Sequence, residues 1–260
     1  MLALVGMAPL VRPLLRRLCQ LGPVPLVLVA GLASAQPIPR GHDMHHGGAA
    51  PSAPAGSGSP TSPGLDPGLH TAHDHGHDLG PAGDTYDLRF IDGMVQHHTG
   101  ALRMGEFVFD IGSPGVGALA ASIWSDQAQE IKAMGQWRKA WYPEAPVYPV
   151  AYLPGGDPNS IAGLQPMTAE QIASMRMLNS LPTKANRVTW FLEGMLHHHG
   201  GALTMAHDAL RKSRNPTILR LSRSIITAQR QEIVRLRQML QHDGLTKSEY
   251  LQYDRLFSFP

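Results

Sequence analysis

An internal repeat constrains this chain more than any other feature of its sequence. Residues 90–104 read FIDGMVQHHTGALRM, and residues 191–205 read FLEGMLHHHGGALTM. Nine of the fifteen aligned positions are identical, and they include a His-His pair and two methionines in each copy. A repeat of this kind indicates a fold built from two copies of one structural unit.

A second match follows each copy of the first. The segment QAQEI at 127–131 aligns with QRQEI at 229–233. Both segments of the unit space their apolar residues at threes, fours and sevens, which is typical of amphipathic helices. Two helical hairpins that each bury one face predict an all-α, four-helix bundle.

The element boundaries follow from the same periodicity and from helix start and stop signals. Helices are predicted at 86–108, 116–141, 169–180, 185–212 and 217–242. Thr168 and Gln171 form a candidate capping box, and Gly244 is a candidate stop. Repeat one is therefore 84–141 and repeat two 185–242, joined by a crossover at 142–184 whose first part is irregular. A tail at 243–260 completes a domain at 84–260, and its packing is left open.

Residues 1–35 are predicted to be a secretory signal peptide. An Arg-rich start precedes the apolar run 21–32, and Ala33-Ser34-Ala35 is a typical cleavage site. An uncleaved amino-terminal anchor is the alternative. Cys19, the only cysteine, lies in this segment. The mature chain would then lack disulfides and thiolate metal sites. We expect an exported protein of the periplasm, cell envelope or extracellular space, without stable membrane insertion after cleavage.

The charge balance gives no reason to expect a nucleic-acid partner. The chain has 22 basic and 20 acidic residues, and three arginines lie in the predicted signal peptide. The remainder is close to neutral, so no strongly basic surface is expected.

Residues 36–83 are rich in Pro, Gly, Ala and Ser, which predicts a disordered segment. Histidines punctuate this segment, and imidazole suits Cu(II), Ni(II) or Zn(II). It is therefore interpreted as an auxiliary metal-capture tract, against the alternative of a solubilising linker. Its candidate copper, zinc or nickel ligands are His42, His45, His46, His70, His73, His75 and His77.

The repeated motif predicts a copper site in the bundle. Each helical residue advances about 100°, so two adjacent histidines cannot both point at the bundle centre. One of each pair should face the core and the other a neighbouring helix. Neutral imidazole with thioether is a ligand set for copper, and thioether favours Cu(I). Methionines that fill core gaps and hydrogen-bonded core histidines are the alternative. The candidate ligands are Met94, His97, His98, Met104, Met195, His198, His199 and Met205.

The partner helices carry polar residues that can face these histidines. A carboxylate or amide can orient a metal-binding imidazole through its other nitrogen. The candidates for this task are Gln127, Glu130, Gln229 and Glu232.

This double motif resembles the domain-of-unknown-function family 305 (DUF305) over residues 84–242. The resemblance implies a ferritin-like helical bundle, and secreted members that bind copper and support copper tolerance. The eight candidate ligands match the family's two motifs. No enzymatic activity is implied. Gly93 and Gly194 depart from the pattern, where a larger apolar residue is expected, and Gln96 and His197 differ between the two copies.

Three classes of function are therefore considered. The first is a copper-binding protein for sequestration, relay or tolerance. The second is a structural or partner-binding bundle without metal. The third is a ferritin-like di-iron oxidase, which uses Glu-x-x-His motifs. Here Glu193 precedes His197 by four positions rather than three, which disfavours that chemistry.

Overall fold

The computed structural model describes residues 75–112, 115–145, 147–178 and 180–260. The predicted signal peptide and most of the His-rich segment lie outside these ranges. Within them, none of the helices combines the length and the apolarity that crossing a bilayer requires.

Four long helices form the bundle, as predicted. They are α1 (Tyr86–Glu106), α2 (Val116–Trp141), α4 (Arg187–Lys212) and α5 (Pro216–His242), with the short α3 (Ala169–Arg176) between the two halves. Helix α1 packs on α2, α4 packs on α5, and α1 contacts α4. The fold is therefore two helical hairpins joined through their first helices, which is the four-helix bundle expected from the repeat.

Local sequence signals explain where the helices begin and end. The predicted capping box of α3 is present, because Thr168 Oγ1 accepts from Gln171 N and Gln171 Oε1 accepts from Thr168 N. The helix stops at Arg176 rather than 180, since Met177 adopts a left-handed conformation with φ 54°. Asn215 caps α5 by accepting from Thr217 N at 2.9 Å. The apolar faces meet in one continuous core.

The crossover contains structure that the all-α prediction missed. Strands β1 (Val150–Tyr152) and β2 (Leu164–Pro166) form a two-stranded antiparallel sheet, with Val150 opposite Pro166. Val150 is wholly buried, and its N–H donates to Asp92 Oδ2 of α1 at 2.9 Å. A carboxylate on the bundle therefore holds this strand in place, which is a long-range contact with no signature in the strand itself.

Residues 76–83, named here the strap, belong to the folded unit, although 36–83 was predicted to be disordered. Leu79 is buried, and the guanidinium of the wholly buried Arg89 donates to the carbonyls of Leu79 and Pro81. Lys212 Nζ on α4 also donates to Gly80 O at 2.8 Å. The predicted start of the fold at residue 84 is therefore too late. The low apolar content of the strap is compensated by hydrogen bonds from the bundle.

The tail packs on the second hairpin. Two short 3-10 turns, Ser248–Leu251 and Asp254–Leu256, follow α5, and Tyr250 in the first of them is buried. Gly244, with φ 77°, lets the chain turn back after α5, as predicted from its position.

Candidate metal centre

The four motif histidines lie where α1 and α4 pack together, and all four are wholly buried. The rings of His97 and His198 contact each other, with centroids 3.7 Å apart and planes inclined by 45°. His98 points instead at α2, and His199 at α5. The predicted division, with one histidine facing the core and one a neighbouring helix, is present in both halves.

Two of these imidazoles are hydrogen-bonded through Nε2, and a third has a carboxylate beside its Nε2. His98 Nε2 lies 2.7 Å from Glu130 Oε2, and His198 Nε2 donates to the carbonyl of His97 at 2.8 Å. His199 Nε2 lies 2.8 Å from Glu232 Oε2, within ion-pair distance, although the contact lacks hydrogen-bond geometry. An acceptor at Nε2 places the ring proton there and leaves a lone pair on Nδ1. The Nδ1 atoms of all three rings have no hydrogen-bond partner in the described part of the chain.

His97 differs from the other three histidines, whose Nε2 atoms each lie within 3 Å of a carboxylate or carbonyl oxygen. Neither of its ring nitrogens has a hydrogen-bond partner among the described residues, although the side chain is wholly buried. A buried polar group without a partner costs about 1–3 kcal/mol, so such groups are rare unless a ligand meets them. Burial, followed by the neighbouring imidazoles, lowers the pKa of His97 and of His198 well below 6.5. Both rings are therefore neutral at pH 7, which is the form that ligates metals.

The four motif methionines are wholly buried in the same core. The side chains of Met104 and Met205 reach across to the opposite half. A methyl group on Gly194 would lie 2.6 Å from Met104 Cε, and one on Gly93 would lie 3.4 Å from Met205 Cε. The two glycines that depart from the family pattern therefore make room for the methionine of the other repeat.

The polar residues of α2 and α5 reach the site unequally. Glu130 and Glu232 contact histidines as the spacing predicted. Gln127 is buried, but neither of its side-chain polar atoms forms a hydrogen bond, and the Oε1 of Gln229 has no partner either. The predicted contact between Gln127 and a histidine is thus not formed in this structure. The task assigned to these residues, orienting a metal-bound imidazole, stays a prediction.

Sequence reasoning missed two residues near the site. Asp126 is exposed, yet partial desolvation and the charges of Glu232 and Glu130 raise its pKa, which places three carboxylates near one another between α2 and α5. The repeat could not identify Asp126, because Ala228 occupies the aligned position. The second residue is His77, which was assigned to the capture tract. It is 7% exposed, and its ring centroid lies 5.2 Å from that of His97.

The remaining tract histidines give no structural information. The side chain of His75 and the whole of the other five residues lie outside what the structure describes: His42, His45, His46, His70 and His73.

The described residues do not contain a ready-made cage of hard ligands. Among them, no three His, Cys, Asp or Glu side chains are grouped so as to hold a metal ion. Asp92 accepts from Arg138 Nε at 2.6 Å, and Glu193 accepts from Lys247 Nζ at 2.7 Å. The two motif carboxylates are therefore engaged by cations outside the histidine cluster, and the donors left to the core are imidazole and thioether.

Comparison with known proteins identifies the family. The profile described as "Domain of unknown function (DUF305)" matches residues 87–240, which is more than half of the chain. No curated protein matches the sequence.

Several solved structures resemble the chain. CopM in the Cu(II)-bound form is 28% identical, covers 60% of this chain and 96% of its own, and has a TM-score of 0.47. CopM in the apo form is 26% identical, with the same coverage and a TM-score of 0.43. A DUF305 fragment from Deinococcus radiodurans is 25% identical, covers 63% of this chain and 99% of its own, and has a TM-score of 0.44.

Proposed function

We propose that this chain, which belongs to the DUF305 family, is an exported protein that binds copper through its buried histidines and methionines, for sequestration, relay or tolerance. The observation that carries the proposal is the hydrogen bonding of the core imidazoles. His98 and His198 are hydrogen-bonded at Nε2 and present an unpartnered Nδ1, whereas His97 and His199 have no hydrogen-bond partner at either ring nitrogen among the described residues, and Glu232 lies 2.8 Å from His199 Nε2.

This pattern is the one expected of metal-binding histidines. A ligating imidazole commonly gives its other N–H to a carboxylate or a carbonyl, which fixes the tautomer and makes the ligating nitrogen more basic. Glu130, Glu232 and the carbonyl of His97 occupy those positions here. A purely structural histidine would gain more from a hydrogen bond at both nitrogens.

The donor chemistry favours copper over the other metals. Imidazole suits copper, zinc, iron and nickel, but thioether is a soft ligand that selects Cu(I). Structural zinc sites usually take four ligands from Cys, His and carboxylate, and a di-iron centre needs carboxylates directed into the bundle. Asp92 and Glu193 are instead paired with Arg138 and Lys247. Metal binding without catalysis is therefore the function that we propose.

The test measures Cu(I) and Cu(II) affinity by competition with chelators of each ion. The parent protein for this test is the full chain with its predicted capture tract silenced by alanine at positions 42, 45, 46, 70, 73 and 75. We expect this parent to retain tight copper binding, and His98→Ala with His199→Ala to abolish it. His242→Ala, which changes an exposed histidine at the end of α5, is the matched control and should have no effect. Circular dichroism checks that each variant is folded.

Equal copper affinity of the double histidine variant and its parent would mean that the motif is structural. In that case the bundle is a scaffold or a partner-binding module. Export has its own check, because the amino terminus of the protein recovered from cells should lie near Gln36. Recovery from the cytoplasm with an intact Met1 would contradict it.

A further inference from the structure

The strap carries one histidine of the tract into the core. His77 is 93% buried, and its ring meets His97 edge-on with an interplanar angle of 64°. Gly76 beside it packs so closely on Ser174 of α3 that a methyl group there would collide with the Ser174 side chain. The packing of the folded domain therefore fixes the position of His77.

Gly201 on α4 shows how close the two imidazoles come. A methyl group on Gly201 would lie 2.6 Å from His77 Nε2 and 3.0 Å from His97 Nε2. Both nitrogens therefore border the same space above Gly201, which any side chain at that position would fill. Only glycine leaves this space open while α4 stays helical.

The equivalent position in the first half is built differently. Gly100 aligns with Gly201, but the backbone carbonyl of Arg176 at the end of α3 closes the space above it. Two imidazole nitrogens converge above the second glycine and a peptide group covers the first. The duplicated motif thus becomes asymmetric where the strap inserts.

We propose that His77 and His97 ligate one copper ion above Gly201. Resting on the copper binding proposed above, this assignment adds a ligand from outside the repeat and makes the strap part of the metal centre. It also gives a ligand to His97, whose ring nitrogens have no hydrogen-bond partner in the described chain. The folded end of the histidine tract is then a component of the site, not an independent capture arm.

A cavity beside the strap reaches His77, the outer of the two proposed ligands. It has a volume of about 380 Å³, and its lining runs from the exposed Glu170 to His77 and the crossover methionines Met167, Met175 and Met177. Met175 also lies near a motif methionine, because a methyl group on Gly93 would lie 3.5 Å from Met175 Cε and 3.4 Å from Met205 Cε. The thioethers that line this cavity favour Cu(I).

Three variants of the tract-silenced parent test the assignment. His77→Ala removes the donor, and we expect Cu(I) affinity to fall at least about tenfold, or 1.4 kcal/mol. X-ray absorption should show one imidazole fewer around the copper. Gly201→Ala keeps every ligand but places a methyl group between the two rings, so it should weaken binding to a similar extent. Gly135→Ala is the control, because a methyl group there meets nothing within 4 Å.

The outcomes separate this assignment from the proposed function. If His77→Ala and Gly201→Ala bind Cu(I) as the parent does, while the His98/His199 double variant does not, then His77 is a packing residue and only this inference is wrong. If all of these variants bind as the parent does, both proposals are wrong. Should His77→Ala fail to fold, Gly201→Ala decides. His77→Met, which restores a soft donor, should recover Cu(I) binding more than Cu(II) binding.

Discussion

The two helical hairpins have matching interiors, but different segments of the chain pack over them. The crossover packs on the first hairpin and the tail packs on the second. Each hairpin presents the same two histidines, two methionines and one glutamate toward the core. The acidic residue of each motif faces outward to a different segment: Asp92 is wholly buried beneath the crossover, and Glu193 stays partly exposed beneath the tail.

A second polar position that differs between the copies shows the same division. Gln96 bonds to Arg176 and Tyr148 of the crossover, whereas its counterpart His197 meets Tyr253 of the tail. The identical histidines and methionines therefore lie in the shared interior, whereas these two polar positions, which differ, fit each hairpin to the segment that packs on it. This division separates candidate ligands from docking residues without reference to any other protein.

The largest effect that this comparison predicts is an unequal cost of removing the two acidic residues. Asp92→Ala leaves Arg138 and the buried N–H of Val150 without their partner, so we expect a loss of about 3 kcal/mol in the free energy of unfolding. Glu193→Ala breaks a partly exposed pair with Lys247 and a bond from Tyr250, and should cost about 1 kcal/mol. Urea denaturation of the metal-free proteins measures both values. Equal losses of unfolding free energy would show that the crossover and the tail are held equally strongly.

Much of this comparison could be predicted from the sequence. The apolar period placed the four long helices and a capping box placed α3, and the bounds of α2 were predicted correctly. The 100° step between residues separated the two histidines of each pair, and the spacing on α2 and α5 brought Glu130 and Glu232 to them. These features are local to one helix or repeated in both, so pattern alone is sufficient.

The strap and the crossover strand could not be predicted, because they are held by contacts between residues that are far apart in the sequence. The strap looks disordered by composition, and it is ordered by Arg89 and Lys212 from two different helices. Strand β1 is fixed by Asp92, which lies 58 residues earlier. Because His77 lies on the strap, outside the helices, apolar periodicity could not predict its position in the core.

The buried histidines common to both halves should determine how the stability of the fold changes with pH. His97 and His198 are neutral in the fold because burial and the neighbouring imidazoles lower each pKa below 6.5. Below about pH 6.5 the unfolded chain binds more protons than the folded one, so stability is highest above that pH and falls beneath it. Each group contributes about 1.4 kcal/mol per pH unit. Urea midpoints of metal-free protein at pH 7.5, 6.5 and 5.5 check this.

The chosen pH range keeps the histidine effect separate from that of the carboxylates. Burial raises the pKa of Asp92, which contributes with the opposite sign at lower pH. Replacing both histidines with Gln should flatten the dependence between pH 7.5 and 5.5. An unchanged urea midpoint in the parent across this range would contradict the assignment of both rings as neutral.

Substitution of the motif methionines should have the smallest effect on stability. It also tests most directly whether the two halves contribute equally to copper binding. Met104→Leu and Met205→Leu are nearly volume-conserving, so each should cost less than about 1.5 kcal/mol. Each removes a thioether from the shared interior, and together they should weaken Cu(I) binding more than Cu(II) binding, because the thioether is the soft ligand. Chelator competition with each ion measures the difference.

The chain supplies a matched control for that experiment. Met134 on α2 is wholly buried, and the aligned position in the second half is already Leu236. Packing at this position therefore accepts leucine, and Met134→Leu should leave both copper affinities unchanged. If it weakens Cu(I) as much as the motif substitutions do, the effect comes from repacking the core. If only the motif substitutions act, and act equally in the two halves, the thioethers of both repeats belong to the metal site.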